Sequence, residues 1–315
     1  MRSQASLAVL IPTHNRFPLF QRTLESVLAC QRPEDRKVRL IVIENGVRVG
    51  VEECLRTTKS WLVPEYLYVQ NGNKSLALNA AMDTLDDELA VFLDDDIQVE
   101  SNLIKQYAEA ADHNPNNCFF GGPFAADYVK EPPEWLLKYL PDSAKGWAPV
   151  TYESLIPGAL WFIGFNWAAY TVDIKRAGGF NPDVGPGAKS GATGQETAMQ
   201  KALVELGVSP VYIPGALVRH YVPEERCSPE WALERAFKNG VTTGINSNLD
   251  MSTSLLFGMP RWMLRENLEL QWRALKAALT QDSEDVFQAR YNLAQFRGTA
   301  TGIKALLAQQ NKRLK

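Results

Sequence analysis

The sequence predicts an α/β fold: a Rossmann-like mixed sheet flanked by helices, followed by a helical C-terminal extension. Three observations carry that expectation. The first half alternates short apolar, β-branched runs with helical patterns, the signature of strands joined by covering helices. The runs are continuously apolar, as strands buried on both faces require. From Pro260 onward the pattern is purely helical.

The strand candidates are Leu7 to Ile11, Val38 to Ile43, Tyr66 to Val69 and Leu89 to Leu93. Between them, Phe20, Leu24, Val27 and Leu28 keep helical spacing, as do Leu76, Ala80 and Leu85. A further helix follows Ser101, with Leu103, Tyr107 and Ala110 on one face. The stretch from Phe119 to Gly194 is rich in glycine, proline and aromatics and reads as long functional loops around a few strands. A helix runs from Gln195 to Leu206 and stops at Gly207. Ser228-Pro229-Glu230 opens another: a hydroxyl cap, proline at the first position, then an acid at the positive end. In the last helices Leu264, Leu268, Trp272, Leu275 and Leu279 make one apolar stripe, and a second helix begins near Ser283. These patterns divide the chain into a domain over 1–245 and a helical extension over 246–315.

Composition narrows the function classes. The chain has 315 residues, 45% hydrophobic and 22% charged, values of an ordinary folded protein able to bury a large core. A net charge of −3 argues against a dedicated nucleic-acid binder. Cys30, Cys54, Cys118 and Cys227 form no C-x-x-C pair, so neither a disulfide framework nor a structural zinc site is expected. Nothing approaches the roughly 20 apolar residues of a spanning helix. The expected place is the cytoplasm, with peripheral contact at the inner face of a membrane open through the C-terminal helices. Met259 to Lys315 hold ten Lys/Arg against five Asp/Glu, a local +5 that leaves −8 on the rest. A basic, amphipathic stripe of this kind docks on anionic lipid, packs against the preceding domain or forms a dimer, packing being the ordinary outcome.

The sharpest chemical feature is Asp94-Asp95-Asp96, directly after the apolar run Leu89 to Leu93. Ligands in open α/β sheets bind beyond the carboxyl ends of strands. Two like charges about 4 Å apart cost roughly 4 kcal/mol at an effective dielectric near 20, a cost that a divalent cation would offset. Oxygen ligands beside a phosphate-bearing substrate suit Mn2+ or Mg2+. Three more strand ends deliver polar residues to the same edge: Pro12-Thr13-His14-Asn15-Arg16, Glu44-Asn45-Gly46, and Asn71-Gly72-Asn73-Lys74-Ser75. Together they have the layout of a nucleotide pocket. Two look-alikes are excluded. Gly72 to Ser75 lacks the first glycine of a P-loop, its place being taken by Val69, and Gly185-Pro186-Gly187 follows no strand.

In order, I-P-T-H-N-R, I-E-N-G, N-x-x-x-x-L-A-L-N and F-L-D-D-D resemble the N-terminal half of the family-2 glycosyltransferases of GT-A fold. The resemblance continues through Gly164-Phe165-Asn166, Gly178-Gly179-Phe180, Gly194-Gln195-Glu196 and Val218-Arg219-His220. It implies a non-processive, inverting enzyme that moves a sugar from a UDP- or GDP-sugar donor to a saccharide or lipid-linked acceptor. Carried over by position, Pro12, Thr13, Arg16 and Glu44 hold the nucleoside, with Lys74 and Asn79 nearby. Asp94 and Asp95 meet the donor's diphosphate end, Asp94 and Asp96 form the D-x-D pair, and Asp96 is the first choice as metal ligand. His220 is a further metal or phosphate ligand, since imidazole suits manganese. Glu196 is the implied general base, in a Gln195-Glu196 pair where the family commonly has Glu-Asp. Trp161 and Trp167 stack on a sugar or pack in the core. The Q-x-x-R-W signature of processive synthases is absent after Glu196. A sugar nucleotidyltransferase, or an inactive carbohydrate-binding or scaffold protein, stands as the alternative.

Overall fold

The computed structural model describes residues 6–114, 116–147, 162–188, 194–245, 247, 255–256, 259–280 and 283–313. In chain order the elements are β1 (Leu7–Thr13), α1 (Phe17–Leu28), β2 (Val38–Asn45), α2 (Val51–Thr57), β3 (Pro64–Val69), α3 (Lys74–Met82), β4 (Leu89–Leu93), β5 (Ile97–Val99) and α4 (Leu103–His113). There follow β6 (Cys118–Gly121), β7 (Phe124–Tyr128), α5 (Glu134–Leu137), β8 (Gly146–Trp147), β9 (Asn166–Tyr170), α6 (Thr171–Arg176), α7 (Gln195–Glu205), β10 (Ser209–Tyr212) and β11 (Val218–Val222). The chain continues with α8 (Pro229–Ile245), the short pair β12 (Leu255–Leu256) and β13 (Met259–Pro260), α9 (Arg261–Thr280) and α10 (Ser283–Arg313).

The chain divides into two compact units. One comprises Met1–Asp127 and Lys145–Tyr221, the other Tyr128–Ala144 and Val222–Lys315. In the first unit, seven strands form a sheet in the order β10-β6-β9-β4-β1-β2-β3. Strands β4, β1, β2 and β3 run parallel, so four carboxyl ends open on one edge. Antiparallel β9 pairs with both β4 and β6, which makes the sheet mixed. One apolar layer lies on each sheet face, for example Val9, Ile11, Leu24 and Tyr107 on one side and Leu10, Ile43, Leu78 and Trp167 on the other. Strand β3 departs from the expected two-faced burial: its residues are half-buried or exposed because it forms the sheet's edge. In α3 the buried face is Ala77, Leu78, Ala81 and Met82, with Leu76 and Ala80 only half-buried. A second sheet, β5-β11-β7-β8, sets β11 antiparallel to β5, with His220 opposite Ile97. That register brings His220 to the chain that has just left the acidic triplet.

In the second unit, helices α8 and α10 meet at glycines. Gly240 and Gly244 of α8 face Gly298 and Gly302 of α10. A Cβ on Gly240 would lie 2.0 Å from the Gln295 carbonyl oxygen, and one on Gly298 would lie 2.0 Å from that of Phe237. Backbone therefore rests on backbone, a spacing only glycine permits. This contact ties α8 to α10, whereas the sequence pattern set a boundary at residue 245. The segment from Tyr128 to Ala144 joins the same unit through aromatics: the Phe287 ring lies 5.1 Å from Trp135 and 4.9 Å from Tyr139, both edge-on. On α9 the apolar stripe faces outward, while Met263 and Leu270 pack with Phe296, Ala300 and Ile303. Among the described residues no helix is long and apolar enough to cross a membrane.

Candidate active site

The carboxyl ends of the parallel strands enclose a cleft of about 220 Å3, lined by Pro12, Thr13, His14, Arg16, Asn45, Gly72, Lys74, Asp94, Asp95, Pro186 and Gly187. Each strand end contributes for a local reason. At β1 the Thr13 hydroxyl donates to Asp95 Oδ2 at 2.8 Å. Asn15 then takes a left-handed φ of 52°, which short polar side chains tolerate. This turns Arg16 back, and its guanidinium donates to Asp96 Oδ2 at 2.8 Å. His14 lies on a glycine floor: a Cβ on Gly46 or Gly72 would sit 2.5 or 2.8 Å from its ring. Its Nδ1 is 2.7 Å from the Asn45 carbonyl oxygen.

At β2, neighbouring residues take opposite parts. Glu44 accepts from the Val49 amide and the Tyr66 hydroxyl, both at 2.6 Å, and is 1% exposed. Burial, then this carboxylate, raises the Tyr66 phenol well above its ordinary range. Glu44 thus closes its own loop and does not line the cleft. Asn45 does line it, and its buried Oδ1 has no hydrogen-bond partner among the described residues. Successive strand residues point to opposite sheet faces, which separates the Glu44 side chain from that of Asn45. Sequence reading placed Asn45 and His14 at the polar strand ends without giving either a role of its own; for Asn45 the strand's alternation was the available signal.

Helix α3 begins at the third strand end. The Asn73 side chain caps it, accepting from the Leu76 amide at 3.0 Å while donating to the Pro182 carbonyl at 2.8 Å. Lys74 stands in the first turn and its ammonium meets Asp94 Oδ1. Burial alone would lower the Lys74 pKa, but Asp94, Glu196 and Asp96 together raise it. Asn79 lies deeper and outside the cleft lining. Its amide both donates to and accepts from the Phe180 backbone, each at 2.8 Å, fastening the Gly178-Gly179 turn to α3.

Gly185 and Gly187 have φ of 104° and 82°, and a Cβ on Gly187 would sit 1.9 Å from the Gly72 carbonyl oxygen. The segment that sequence reading set aside as a false dinucleotide motif therefore seats against the opening of α3. Gly185 packs on Gln195, which is buried and whose Oε1 has no hydrogen-bond partner among the described residues. Glu196, half-buried in the first turn of α7, packs on Gly164, whose Cβ would lie 2.9 Å from the Glu196 carboxyl carbon. One turn further, Gln200 clamps both backbone groups of Phe162 at 2.7 and 2.8 Å. This clamp holds the Gly164 segment on the helix that carries Glu196.

The fourth strand end holds the triplet. Asp95 and Asp96 are buried, and burial followed by the Asp96 charge pushes the Asp95 carboxyl up to about 6, against the Thr13 hydrogen bond. His220 Nε2 stands 3.7 Å from Asp96 Oδ1, its ring stacked on Phe165 with centroids 4.5 Å apart. Among the described residues no three His, Cys, Asp or Glu side chains are gathered to hold a metal alone. A carboxylate beside an imidazole nevertheless fits an ion that takes one or two protein ligands and completes its shell with phosphate and water. Asp96 and His220 stand in that arrangement, with Asp96 also accepting from Arg16 and Asp94 engaged by Lys74. Asn166, 0% exposed, is structural: it accepts from Tyr107 and donates to the Pro123 and Ala216 carbonyls. Trp167 stacks on Phe92 at 4.5 Å in the core, so its role is packing. Trp161 lies outside the described residues.

Comparison with known proteins fits this geometry. A family model described as Glycosyl transferase family 2 matches residues 8–170. The succinoglycan biosynthesis protein ExoM of Rhizobium meliloti (strain 1021) is 27% identical over 239 residues, covering 73% of this chain and 71% of ExoM. The mannosyltransferase PcManGT of Pyrobaculum calidifontis, solved with GDP-Man and Mn2+, superposes with a TM-score of 0.53 at 19% identity, over 99% of this chain and 88% of that one. S. aureus TarS 1-349 in complex with UDP-GlcNAc gives 0.52 at 13% identity, over 98% and 92%. The fold of this chain is that of the GT-A glycosyltransferases.

Proposed function

We propose, from the premise that the chain belongs to glycosyl transferase family 2 and is a glycosyl-transferring enzyme, that it makes one glycosidic bond per encounter with inversion at the anomeric carbon. The donor is a nucleotide-diphosphate sugar, a UDP- or GDP-sugar. The acceptor is a saccharide or lipid-linked hydroxyl in cell-surface polysaccharide assembly, at the cytoplasmic side. Support comes from the relative that acts in succinoglycan biosynthesis and from the fold neighbours solved with GDP-Man and UDP-GlcNAc.

One observation carries the mechanism: the Lys74 ammonium, in the cleft lining, pairs with Asp94, and the charges of Asp94, Glu196 and Asp96 raise its pKa against burial. This supports a reading in which the acid that takes a proton and the acids at the diphosphate end act around the same ammonium, that of Lys74, which lines the cleft. The nucleoside lies along Pro12, Thr13 and Asn45, where the unpartnered Asn45 oxygen accepts a hydrogen bond from the base or ribose. Asp96 and His220 would hold Mn2+ or Mg2+, which when bound neutralises charge on the leaving diphosphate. Glu196 accepts the acceptor hydroxyl's proton as the oxygen bonds to the anomeric carbon and the bond to the diphosphate breaks. It stands in the first turn of α7, where the positive end of the helix suits an acid. Lys74 and Arg16 supply cationic charge near the phosphates, in a partly buried cleft where such charge acts strongly.

The test is calorimetry with a panel of nucleoside diphosphates in manganese, followed by turnover of the matching sugar donors. Tight, metal-dependent binding of one nucleotide and release of that nucleotide on turnover are expected. A protein that binds no nucleoside diphosphate under these conditions would overturn the reading.

A further inference from the structure

The outward face of α9 has a use that its own packing does not explain. Leu264, Leu268, Trp272, Leu275 and Leu279 recur at spacings of four, four, three and four residues, which superposes them in one stripe along the helix. Leu268, Trp272, Leu275 and Leu279 are 68%, 67%, 56% and 78% exposed. A lone exposed leucine is ordinary, but a contiguous apolar stripe marks an interaction surface. The opposite face already seats the helix, since Met263 is fully buried against Phe296, Ala300 and Ile303. Among the described residues, Leu268, Trp272, Leu275 and Leu279 of the stripe are therefore not what holds α9 to α10.

We propose that this face docks on an anionic lipid bilayer, with α9 lying in the plane of the interface. Helical geometry puts Arg261, Arg265 and Lys276 along or beside the stripe, and its other border carries the neutral Gln271 and Ala278. The one acid on the basic border, Glu269, is held by Arg265 at 3.0 Å. No carboxylate interrupts the apolar line. The charge of the whole chain is distributed to match, with ten Lys/Arg against five Asp/Glu between residues 259 and 315 in a protein of net −3. Leucine, an amphipathic tryptophan and a basic border are what an interfacial helix presents to anionic headgroups. A second copy packed antiparallel fits less well, because its basic border would press against the first. Docking on lipid is independent of the donor and acceptor assigned above.

The experiment is sedimentation of the full chain with vesicles of phosphatidylglycerol mixed into phosphatidylcholine, and with phosphatidylcholine alone, backed by tryptophan emission and light scattering. Binding to the anionic vesicles with a blue-shifted emission is expected, along with much weaker binding to the neutral ones. Leu268→Ser with Leu275→Ser should lower partitioning by at least about tenfold, given how strongly each buried methylene contributes. Arg261→Gln and Lys276→Gln should each lower it by roughly fivefold. All four side chains are exposed, so melting temperatures should not move, which separates lost docking from lost folding. Failure to bind anionic vesicles, or equal binding by the Leu268→Ser, Leu275→Ser protein, overturns the proposal. So does a dimer that this double variant dissolves while no vesicle is bound, since the face then belongs to a second copy.

Discussion

The cleft edge of the sheet and the α8–α10 pair both depend on glycine, and for opposite reasons. At the cleft, Gly185 and Gly187 adopt left-handed φ, and Gly164 leaves room for the end of the Glu196 side chain. These glycines aim functional groups. In the helical unit, Gly240, Gly244, Gly298 and Gly302 sit within helices, and they remove side chains so that two backbones touch. These glycines hold structure. Substitutions at the cleft should therefore reach catalysis first, and those between the helices stability first.

The largest expected effect tests the catalytic side. Glu196→Gln keeps size and hydrogen-bonding reach but cannot take a proton, so turnover at saturating donor and acceptor should fall by about 10²- to 10⁴-fold. Donor binding and melting temperature should stay close to those of the unaltered protein. Equal turnover would remove Glu196 as base.

On the structural side, Gly298→Val forces a branched side chain against the Phe237 carbonyl, whose oxygen would lie 2.0 Å from the new Cβ. Because that contact is with backbone, α8 must move, and a loss of about 3 kcal/mol or more is expected. Chemical denaturation would measure it. Nucleotide affinity at low temperature should be retained, and unchanged stability would refute the close helix contact.

Acidity offers a third probe, on chelator-treated protein. The Asp95 carboxyl is raised from 3.8 to about 6, mainly by burial and then by Asp96. The folded state therefore holds this proton more tightly than the unfolded chain. Its contribution to stability is fully present below 3.8 and is lost as pH rises through about 6. Asp95→Asn should flatten that decline, a difference of about 2 kcal/mol once residual solvent access is allowed for. Identical stability–pH profiles for the two proteins would rule the effect out.

The smallest effect separates two neighbours on one strand. Asn45→Ala should weaken nucleoside diphosphate binding by roughly five- to tenfold, about one hydrogen bond, with little change in melting temperature. Glu44→Gln should do the reverse, because it disturbs the bonds to Val49 and Tyr66 and touches no cleft group. Calorimetry of both variants would show whether the roles are exchanged.

Much of the fold was legible from residues alone. The strand Leu89 to Leu93 and the cap at Ser228, whose hydroxyl accepts from the Trp231 amide at 3.2 Å, lie where local pattern put them. The four polar strand ends were also visible, because parallel strands linked by helices deliver their carboxyl ends to one edge. The roles within those ends were less legible. Glu44 reads as the stronger ligand in one dimension, yet its loop consumes it, and Asn79 is likewise taken by Phe180. The pairs Gly240–Gly244 and Gly298–Gly302 carried a spacing signal that hydrophobic periodicity overlooks, since it weighs only large side chains.

Apolar periodicity and turn chemistry are local properties, so the sequence by itself determined which segments became strands, which became helices, and that the acidic triplet ends a buried strand. Long-range placement is decided by packing, and only the tertiary structure could settle it. The antiparallel register of β11 on β5 brings His220 within 3.7 Å of Asp96 across more than a hundred residues of chain. The Gln200 clamp on Phe162 seats Gly164 against Glu196, and Met263, rather than the leucine stripe, packs α9 against α10. Each of these depends on which surfaces meet, a choice that many distant side chains make together.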